Sequence, residues 1–190
     1  MMELIRILIA DDEPIIRMDL REMLESKGYQ VTEASDGKKA LALLLEEQFD
    51  LAILDINMPK ISGLEVIQNI SKSKEIPIIL LTAYCQNEVV TSALEMGVFG
   101  YLVKPVREEQ LFPSIKLALT QFKSLLNLKD QQSDLKNKIQ EKGIIKKASA
   151  ILQEKYGMNE KIAYEKMRKY SMEKRVTLEE VAKEIIKNST

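Results

Sequence analysis

The chain contains no histidine and only one cysteine in 190 residues. Without an imidazole it has no histidine base and no histidine metal ligand, and it cannot carry a phosphohistidine. If phosphate arrives through a histidine, that histidine belongs to a partner. The one thiol, Cys85, cannot close an internal disulfide, which suits a reducing compartment. Long apolar runs are also missing. Met1 to Ala10 holds a short apolar stretch broken by Arg6, which does not read as a signal peptide. No later segment is apolar for long enough to span a membrane, so a cytoplasmic protein is expected. Between Pro113 and Gly143 there is neither proline nor glycine, so nothing there stops a helix.

What is present is an ordinary globular composition with a hidden asymmetry. Up to Phe122 the chain has 12 Lys and Arg against 19 Asp and Glu, a net of −7; from Lys123 onward it has 16 against 10, a net of +6. An acidic front and a basic back point to two modules with different partners, although two solvated faces would give the same balance.

The front half alternates short apolar runs with helical patterns. Arg6 to Ala10 reads as a strand, and Pro14 fits the first turn of a helix that Gly28 ends. Tyr29 to Glu33 reads as a second strand. Asp36-Gly37 turns the chain into a helix through Leu45. Leu51-Ala52-Ile53-Leu54 is apolar enough to be buried on both faces and runs straight into Asp55. A helix from Leu64 to Ile70, a strand from Pro77 to Leu81, a helix to Met96 with a stop at Gly97, and a strand over Tyr101 to Val103 complete the series. This order predicts an α/β fold, a doubly wound five-stranded parallel sheet with helices on both sides. The strand ends then share one edge, where open α/β sheets place their sites. Asp11, Asp12, Asp55, Thr82 and Lys104 all fall there. Three neighbouring carboxylates repel unless a cation joins them, and an all-oxygen set suits Mg²⁺. Lys104 adds a fixed charge for a phosphoryl oxygen. The chemistry this supports is phosphoryl transfer to a carboxylate nucleophile, Asp55.

These residues, together with Met58-Pro59, Gly63, Ala83, Tyr101 and Pro105, resemble the receiver domain of two-component response regulators, of flavodoxin-like fold, over residues 1–122. The resemblance implies that Asp55 accepts a phosphoryl group from a sensor histidine kinase. It implies Mg²⁺ held by Asp12, Asp55 and the backbone carbonyl of Asn57, with Asp11 assisting through water. It also implies phosphoryl contacts from Thr82 and Lys104, an inward swing of Tyr101 as the switch, and a cis Lys104-Pro105 bond. The module is then a phosphoryl acceptor that releases its own phosphoryl group, not an enzyme with a separate substrate.

From Val106 the pattern turns helical. Pro113 is expected to kink this helix if it lies past the first turn. Residues 123–142 read as a helical linker. Leu111, Ala118, Leu125, Gln132 and Ile139 take heptad a positions and Leu128 and Leu135 take d, a thin seam suited to a conditional coiled-coil homodimer. A solvated linker helix is the plainer alternative.

Residues 143–190 form a small all-α three-helix module. Its stripes are Ile144, Ile145, Ala148, Ile151 and Leu152; then Ile162, Ala163, Met167 and Tyr170 behind Asn159; then Val181, Ala182, Ile185 and Ile186 behind a Thr177–Glu180 capping box. The polar faces carry Lys146, Lys147, Lys155, Lys166, Arg168, Lys169, Lys174 and Arg175, with Tyr164 and Tyr170 interleaved. Basic groups beside an exposed ring suit unpaired bases in an RNA loop, and a basic helix equally suits a DNA groove. Ala148, Leu152, Gly157, Ala163-Tyr164, Met167-Arg168, Ser171-Met172, Val176, Leu178 and Val181-Ala182 resemble the ANTAR domain, the RNA-binding output module of antitermination regulators, with mild departures at Met167 and Ser171. The resemblance implies a dimer on paired hexaloop hairpins in nascent mRNA. The expected RNA-binding residues are Lys146, Lys147, Lys155, Tyr164, Arg168, Lys169 and Arg175. The intact acidic site favours a phosphorylation-controlled antiterminator, such as the ethanolamine-utilisation type. Three rivals are a DNA-binding response regulator, a haloacid-dehalogenase-like phosphatase using Asp11 and Glu13, and a tail that only dimerises. Pro14 and Ile15 disfavour the phosphatase, because that class wants a Gly-Thr after the acid that stands two residues past its nucleophile, and Pro14-Ile15 does not supply it.

Overall fold

The structure, a computed structural model, describes residues 4–83 and 97–189. The helix expected up to Met96, and Cys85 within it, lie outside the described residues. In chain order the elements are β1 (Arg6–Ala10), α1 (Pro14–Ser26), β2 (Gln30–Ala34), α2 (Gly37–Glu46), β3 (Leu51–Asp55), α3 (Gly63–Ile70), β4 (Ile78–Thr82), β5 (Gly100–Val103), α4 (Glu108–Tyr156), α5 (Glu160–Lys174) and α6 (Leu178–Lys187).

Local chemistry sets most of these ends. Pro14 occupies the first turn of α1, where its missing N–H costs nothing. Gly28 takes φ +82 past the end of α1, and the Tyr29 N–H returns to the Leu24 carbonyl. Tyr29 is therefore part of the helix closure, and β2 starts one residue later than the alternation predicts. Asp36 caps α2, and a Ser62–Glu65 capping box opens α3.

The sheet is wholly parallel with strand order β2-β1-β3-β4-β5. Side chains alternate between two cores. Leu8, Ala10, Ala52, Leu54, Ile78 and Leu80 pack with α2 and α3; Ile7, Ile9, Leu51, Ile53, Ile79 and Leu81 pack with α1 and with Leu111, Ile115 and Ala118 of α4. The fold is thus doubly wound α/β of flavodoxin-like order, with the switch point between β1 and β3. The register pairs Ala10 with Leu54, Asp55 with Leu81, and Thr82 with Val103, so the charged strand ends come level.

The chain divides into two compact units, Met1–Leu126 and Asn127–Thr190, and α4 contributes to both. The linker and the first tail helix, expected as separate segments, are one 49-residue helix. Gly143 does not interrupt it. Glycine in a helix interior costs only about 1 kcal/mol relative to alanine, and no proline or capping residue reinforces a stop there. Pro113 lies in the second turn, where it withholds one N–H from the ladder. Along the heptad, Leu111 and Ala118 are buried in the first unit, whereas Leu125, Leu128, Leu135 and Ile139 are exposed.

The second unit has its own core of Ala148, Met167, Val181 and Ala182, flanked by Ile144, Ile145, Leu152, Leu178, Ile185 and Ile186. The α5 stripe is narrower than its sequence pattern. Ala163 and Met167, four apart, share the buried face, while Ile162 and Tyr170 are exposed. Arg175 ends α5 in the left-handed region at φ 56, and the Thr177–Glu180 capping box opens α6.

Candidate functional site: an acidic strand edge and a basic helical surface

The first turn past β1 bends so that Asp11 faces the end of β3. Asp11 and Asp55 are buried, and Asp12 is exposed. One carboxylate oxygen from each of Asp11, Asp12 and Asp55 can be chosen so that all lie within 4.8 Å of one another. Lys104 reaches in from beyond β5. Its Nζ is 2.7 Å from Asp11 Oδ2, 3.1 Å from Asp55 Oδ2 and 3.5 Å from Glu13 Oε1. The Lys104-Pro105 bond is cis, as the resemblance implies.

Asp11 Oδ1 accepts from the Glu13 N–H at 2.9 Å, whereas its Oδ2 is buried with no aligned hydrogen-bond donor and has the Lys104 ammonium as its charged neighbour. An acid oxygen of that kind, in an all-oxygen cluster, fits a hard divalent cation or a water bound to one. The site is therefore chemically suited to Mg²⁺.

Three supports outside the cluster hold its loops. Arg17 on α1 donates to the Asp11 carbonyl at 2.8 Å and pairs with Glu33 of β2 at 3.2 Å, so the acidic turn is fixed from beneath. On the β3–α3 loop, Lys60 takes φ 72 while the Ile61 N–H reaches the Pro59 carbonyl at 2.9 Å, a strained three-residue turn. Its ammonium lies 2.7 Å from Asp36, the cap of α2. That ammonium and the Lys39 N–H hold the Asp36 carboxyl below the usual carboxylate range. Gly37 and Gly63 are the third support, because each allows backbone to approach where a Cβ would stand. Gly63 belongs to the motif read from the sequence, whereas the Arg17–Glu33 and Lys60–Asp36 pairs join residues far apart in the chain and are not legible as one.

Burial pushes the Asp55 carboxyl above the ordinary aspartate value, and the neighbouring Asp11 adds to this; Lys104 and the Asn57 N–H pull the other way without cancelling it. For Lys104, burial lowers the ammonium, but Asp11 and Asp55 outweigh it and keep the lysine charged. The sign for stability follows. A folded pKa raised above the unfolded value means that Asp55 stabilises the fold below the ordinary aspartate range, and this is lost as pH rises through the raised value. Metal-free Asp55→Asn should therefore melt above the wild type at pH 7, with the gap closing as pH falls toward 4. Thermal melts with EDTA across that range test this, and a wild type that melts higher at pH 7 would refute it.

Three further expected site residues lie on β4, on β5 and in the β3–α3 loop. Thr82 ends β4 and is buried, and Tyr101 on β5 is 46% exposed. Asn57 is exposed at the start of the loop, its N–H bonded to Asp55.

In the second unit the expected basic residues divide. Lys146 and Tyr164 share a groove of about 900 Å³ between α4 and the start of α5. Lys138, Lys142 and Lys161 line the same groove and were not among the expected RNA contacts. Lys147, Lys155, Arg168, Lys169 and Arg175 are exposed but do not line it. Lys155 sits 5.9 Å from the Tyr156 ring, and Lys169 lies 3.9 Å from Glu173. None of the described helices is long and apolar enough to cross a membrane.

Comparison with known proteins agrees with both halves. The response regulator receiver domain family matches residues 7–116, and the ANTAR domain family matches residues 133–186. The transcriptional regulatory protein PdtaR of Mycobacterium tuberculosis is 36% identical over 182 residues, covering 95% of this chain and 89% of that protein. The probable transcriptional regulator ycf27 of Galdieria sulphuraria is 44% identical over 114 residues, covering 60% of this chain and 45% of that one. Among solved structures, a CheY-like receiver domain protein of Methanospirillum hungatei aligns with TM-score 0.60 at 32% identity, covering 64% of this chain and 98% of that chain. The response regulator TrrA of Thermotoga maritima, solved with Mg(2+)-BeF, aligns with TM-score 0.56 at 41% identity, over 60% of this chain and 99% of its own. The tail match favours the RNA-binding reading over a DNA-binding tail. With a doubly wound sheet carrying an acidic edge, and a helical tail of the second family, the chain belongs to the two-component response regulators, with a receiver domain followed by an ANTAR domain.

Proposed function

We propose that this protein is a phosphorylation-controlled antitermination regulator acting in the cytoplasm. The observation that carries the reading is the cluster of Asp11, Asp12 and Asp55 at the strand edge, with Lys104 against Asp11 and Asp55, in a chain whose tail is an ANTAR domain. Residues 1–122 act as the receiver, 123–142 as a helical linker and 143–190 as the RNA-binding domain. A sensor histidine kinase supplies the phosphoryl group, consistent with a chain that has no histidine of its own. Asp55 attacks the phosphorus, forming an acyl phosphate as the partner's P–N bond breaks. Asp12, Asp55 and the Asn57 carbonyl would hold Mg²⁺, with Asp11 assisting through water. The ion's contribution is to neutralise charge on the transferring group. Lys104 supplies a second, fixed positive charge, and Thr82 donates to a phosphoryl oxygen. Tyr101 then moves inward from its exposed position and alters the adjoining face.

The readout is a homodimer. Leu125, Leu128, Leu135 and Ile139 leave an apolar seam exposed on α4, which a second copy would cover. Joining two ANTAR domains raises their effective concentration on a pair of hexaloop hairpins in nascent mRNA, and the occupied RNA cannot form a terminator. The test is binding to a two-hairpin RNA with and without beryllofluoride and Mg²⁺. Beryllofluoride should tighten binding about 10-fold or more, within the usual range for coupling between an effector site and a binding site, and Asp55→Ala should abolish that gain. Equal binding in all states would remove the phosphorylation control, and retention of duplex DNA in place of the RNA would favour a DNA-binding output.

A further inference from the structure

The lysine-lined groove of the second unit is an arrangement that the sequence pattern conceals. Lys138, Lys142 and Lys146 follow one another at i, i+4 and i+8 on α4, so they form a row on one face with about 6 Å of rise between neighbours. Across the groove lie Lys161 and Tyr164, one turn apart on α5. Asn159 stands at the end of the groove, its side-chain oxygen accepting the Ile162 N–H at 2.9 Å. Ile145, Leu178 and the buried Ser149 also line it. Two acids, Glu141 and Glu160, are present, so four ammonium groups face two carboxylates and the groove is net positive. The Tyr164 ring is 43% exposed beside the four ammonium groups.

That combination has a chemistry. A row of lysines tracks a phosphate backbone, and an exposed ring beside an apolar floor stacks an unpaired base. A regular duplex offers no free base face to Tyr164, whereas a loop does. The heptad frame adds an independent reason. Continued past Leu135 and Ile139, its next d and a positions are Lys142 and Lys146. In a parallel dimer these lysines would oppose their own copies, so the apolar seam ends at Ile139 and the next turns suit a polyanion better than a second helix.

Resting on the RNA-binding reading above, we propose that this groove is where the loop of the RNA hairpin sits. One unpaired base stacks on Tyr164, and the adjoining phosphates lie along Lys138, Lys142 and Lys146, with Lys161 on the opposite wall. The exposed set Arg168, Lys169 and Arg175, outside the groove, is then not the loop-recognition surface. The RNA contact also extends N-terminally into α4 as far as Lys138, within the segment read as linker.

The experiment compares affinities of the beryllofluoride-activated full chain for the two-hairpin RNA over a salt series. Lys142→Gln and Lys146→Gln should each weaken binding and lower the log–log salt slope by about 0.7 per lost contact. Tyr164→Ala should cost about 10-fold or more, while Tyr164→Phe, which keeps the ring, should stay within about 3-fold of the parent. The parent should prefer loop RNA over the same hairpin with its loop closed into a duplex by about 10-fold or more, and the triple variant Arg168→Gln, Lys169→Gln, Arg175→Gln should keep that preference. Circular dichroism confirms that each variant is folded. If the triple variant loses loop discrimination while the groove variants keep it, the groove is not the site, although RNA binding stands. If Tyr164→Phe binds as poorly as Tyr164→Ala, stacking is not the ring's role and the proposal fails. If the unaltered chain binds no RNA, both this proposal and the reading beneath it fall together.

Discussion

Gly63→Ala should abolish phosphorylation and remove a large part of the receiver unit's stability. A Cβ at Gly63 would stand on the Asp55 carbonyl oxygen, with the Ile56 Cα also in close contact. Both obstacles are backbone, so neither can rotate away. Relief requires the β3–α3 loop to back off from the strand end, and Asp55 moves with it. The loop has little freedom to do so. The Gly63 N–H is bound to the Ile56 carbonyl, Ser62 and Glu65 form a capping box, and Lys60 is tied to Asp36. Overpacking of this kind costs roughly 3 kcal/mol at the upper end of its usual range, which is a large share of a typical domain's total stability. Gly143→Ala is the matched comparison. A Cβ there would meet nothing within 4 Å beyond its own helix backbone and chain neighbours, and the backbone is helical, so the change should stabilise by about 0.5–1 kcal/mol. Urea melts and acyl-phosphate formation from a small phosphodonor measure both variants. A Gly63→Ala protein that is phosphorylated at the parental rate would show that the close approach does not position Asp55.

Lys104→Met should separate two roles that coincide in one ammonium. The lysine stands between Asp11 and Asp55, both buried, and its own side chain is only 12% exposed. Removing it leaves two acids facing each other without a counter-charge, a loss of about 3 kcal/mol in metal-free buffer by comparison with other broken buried pairs. Millimolar Mg²⁺ should restore much of that stability, because the variant's carboxylates no longer share their charge with an ammonium and should take the cation more tightly. Phosphoryl transfer should not recover with it. A methionine cannot stabilise a phosphoryl oxygen, and the rate should stay about 100-fold or more below the parent's, the usual scale for losing one fixed donor to a developing charge. Calorimetric Mg²⁺ titration beside phosphorylation kinetics gives both numbers. Weaker Mg²⁺ binding in Lys104→Met, or a parental rate at saturating Mg²⁺, would show that the two roles are not separable in this way.

These expectations show where the sequence is informative. Strands such as Leu51–Asp55 announce themselves, because a fully apolar run that ends in an acid fits a buried strand opening onto a site and little else. Parallel pairing then brings Asp11, Asp55, Thr82 and Lys104 to one edge without further information. Contacts made by chain reversal are not legible in this way. Arg17 beneath the Asp11 carbonyl and Lys60 on Asp36 depend on distances set only once the sheet is assembled. In the tail, composition reveals a basic surface but not its division. Lys138 and Lys161 look no different in sequence from Lys147 or Lys169, and helix phase decides which of them meet. Ile162 and Tyr170 mislead for the same reason, since a small three-helix unit buries only a narrow stripe of α5.

The long helix α4 has a consequence for folding units. Its N-terminal turns are anchored by Leu111, Ile115 and Ala118 in one core, and its C-terminal turns contact another through Ile144, Ile145, Ala148 and Leu152. From Lys123 to Gln140 every residue is exposed, and the glycine at 143 lies just beyond. A helical stretch without tertiary burial owes its order to its own weak cooperativity, which is marginal at this length in water. The middle of α4 therefore has no core of its own and depends on propagation from the turns anchored at its two ends. Covering its apolar seam would give it the tertiary burial it lacks and link its helical stability to the joining of two chains in a single equilibrium, centred on the unpacked middle and not on the domains on either side.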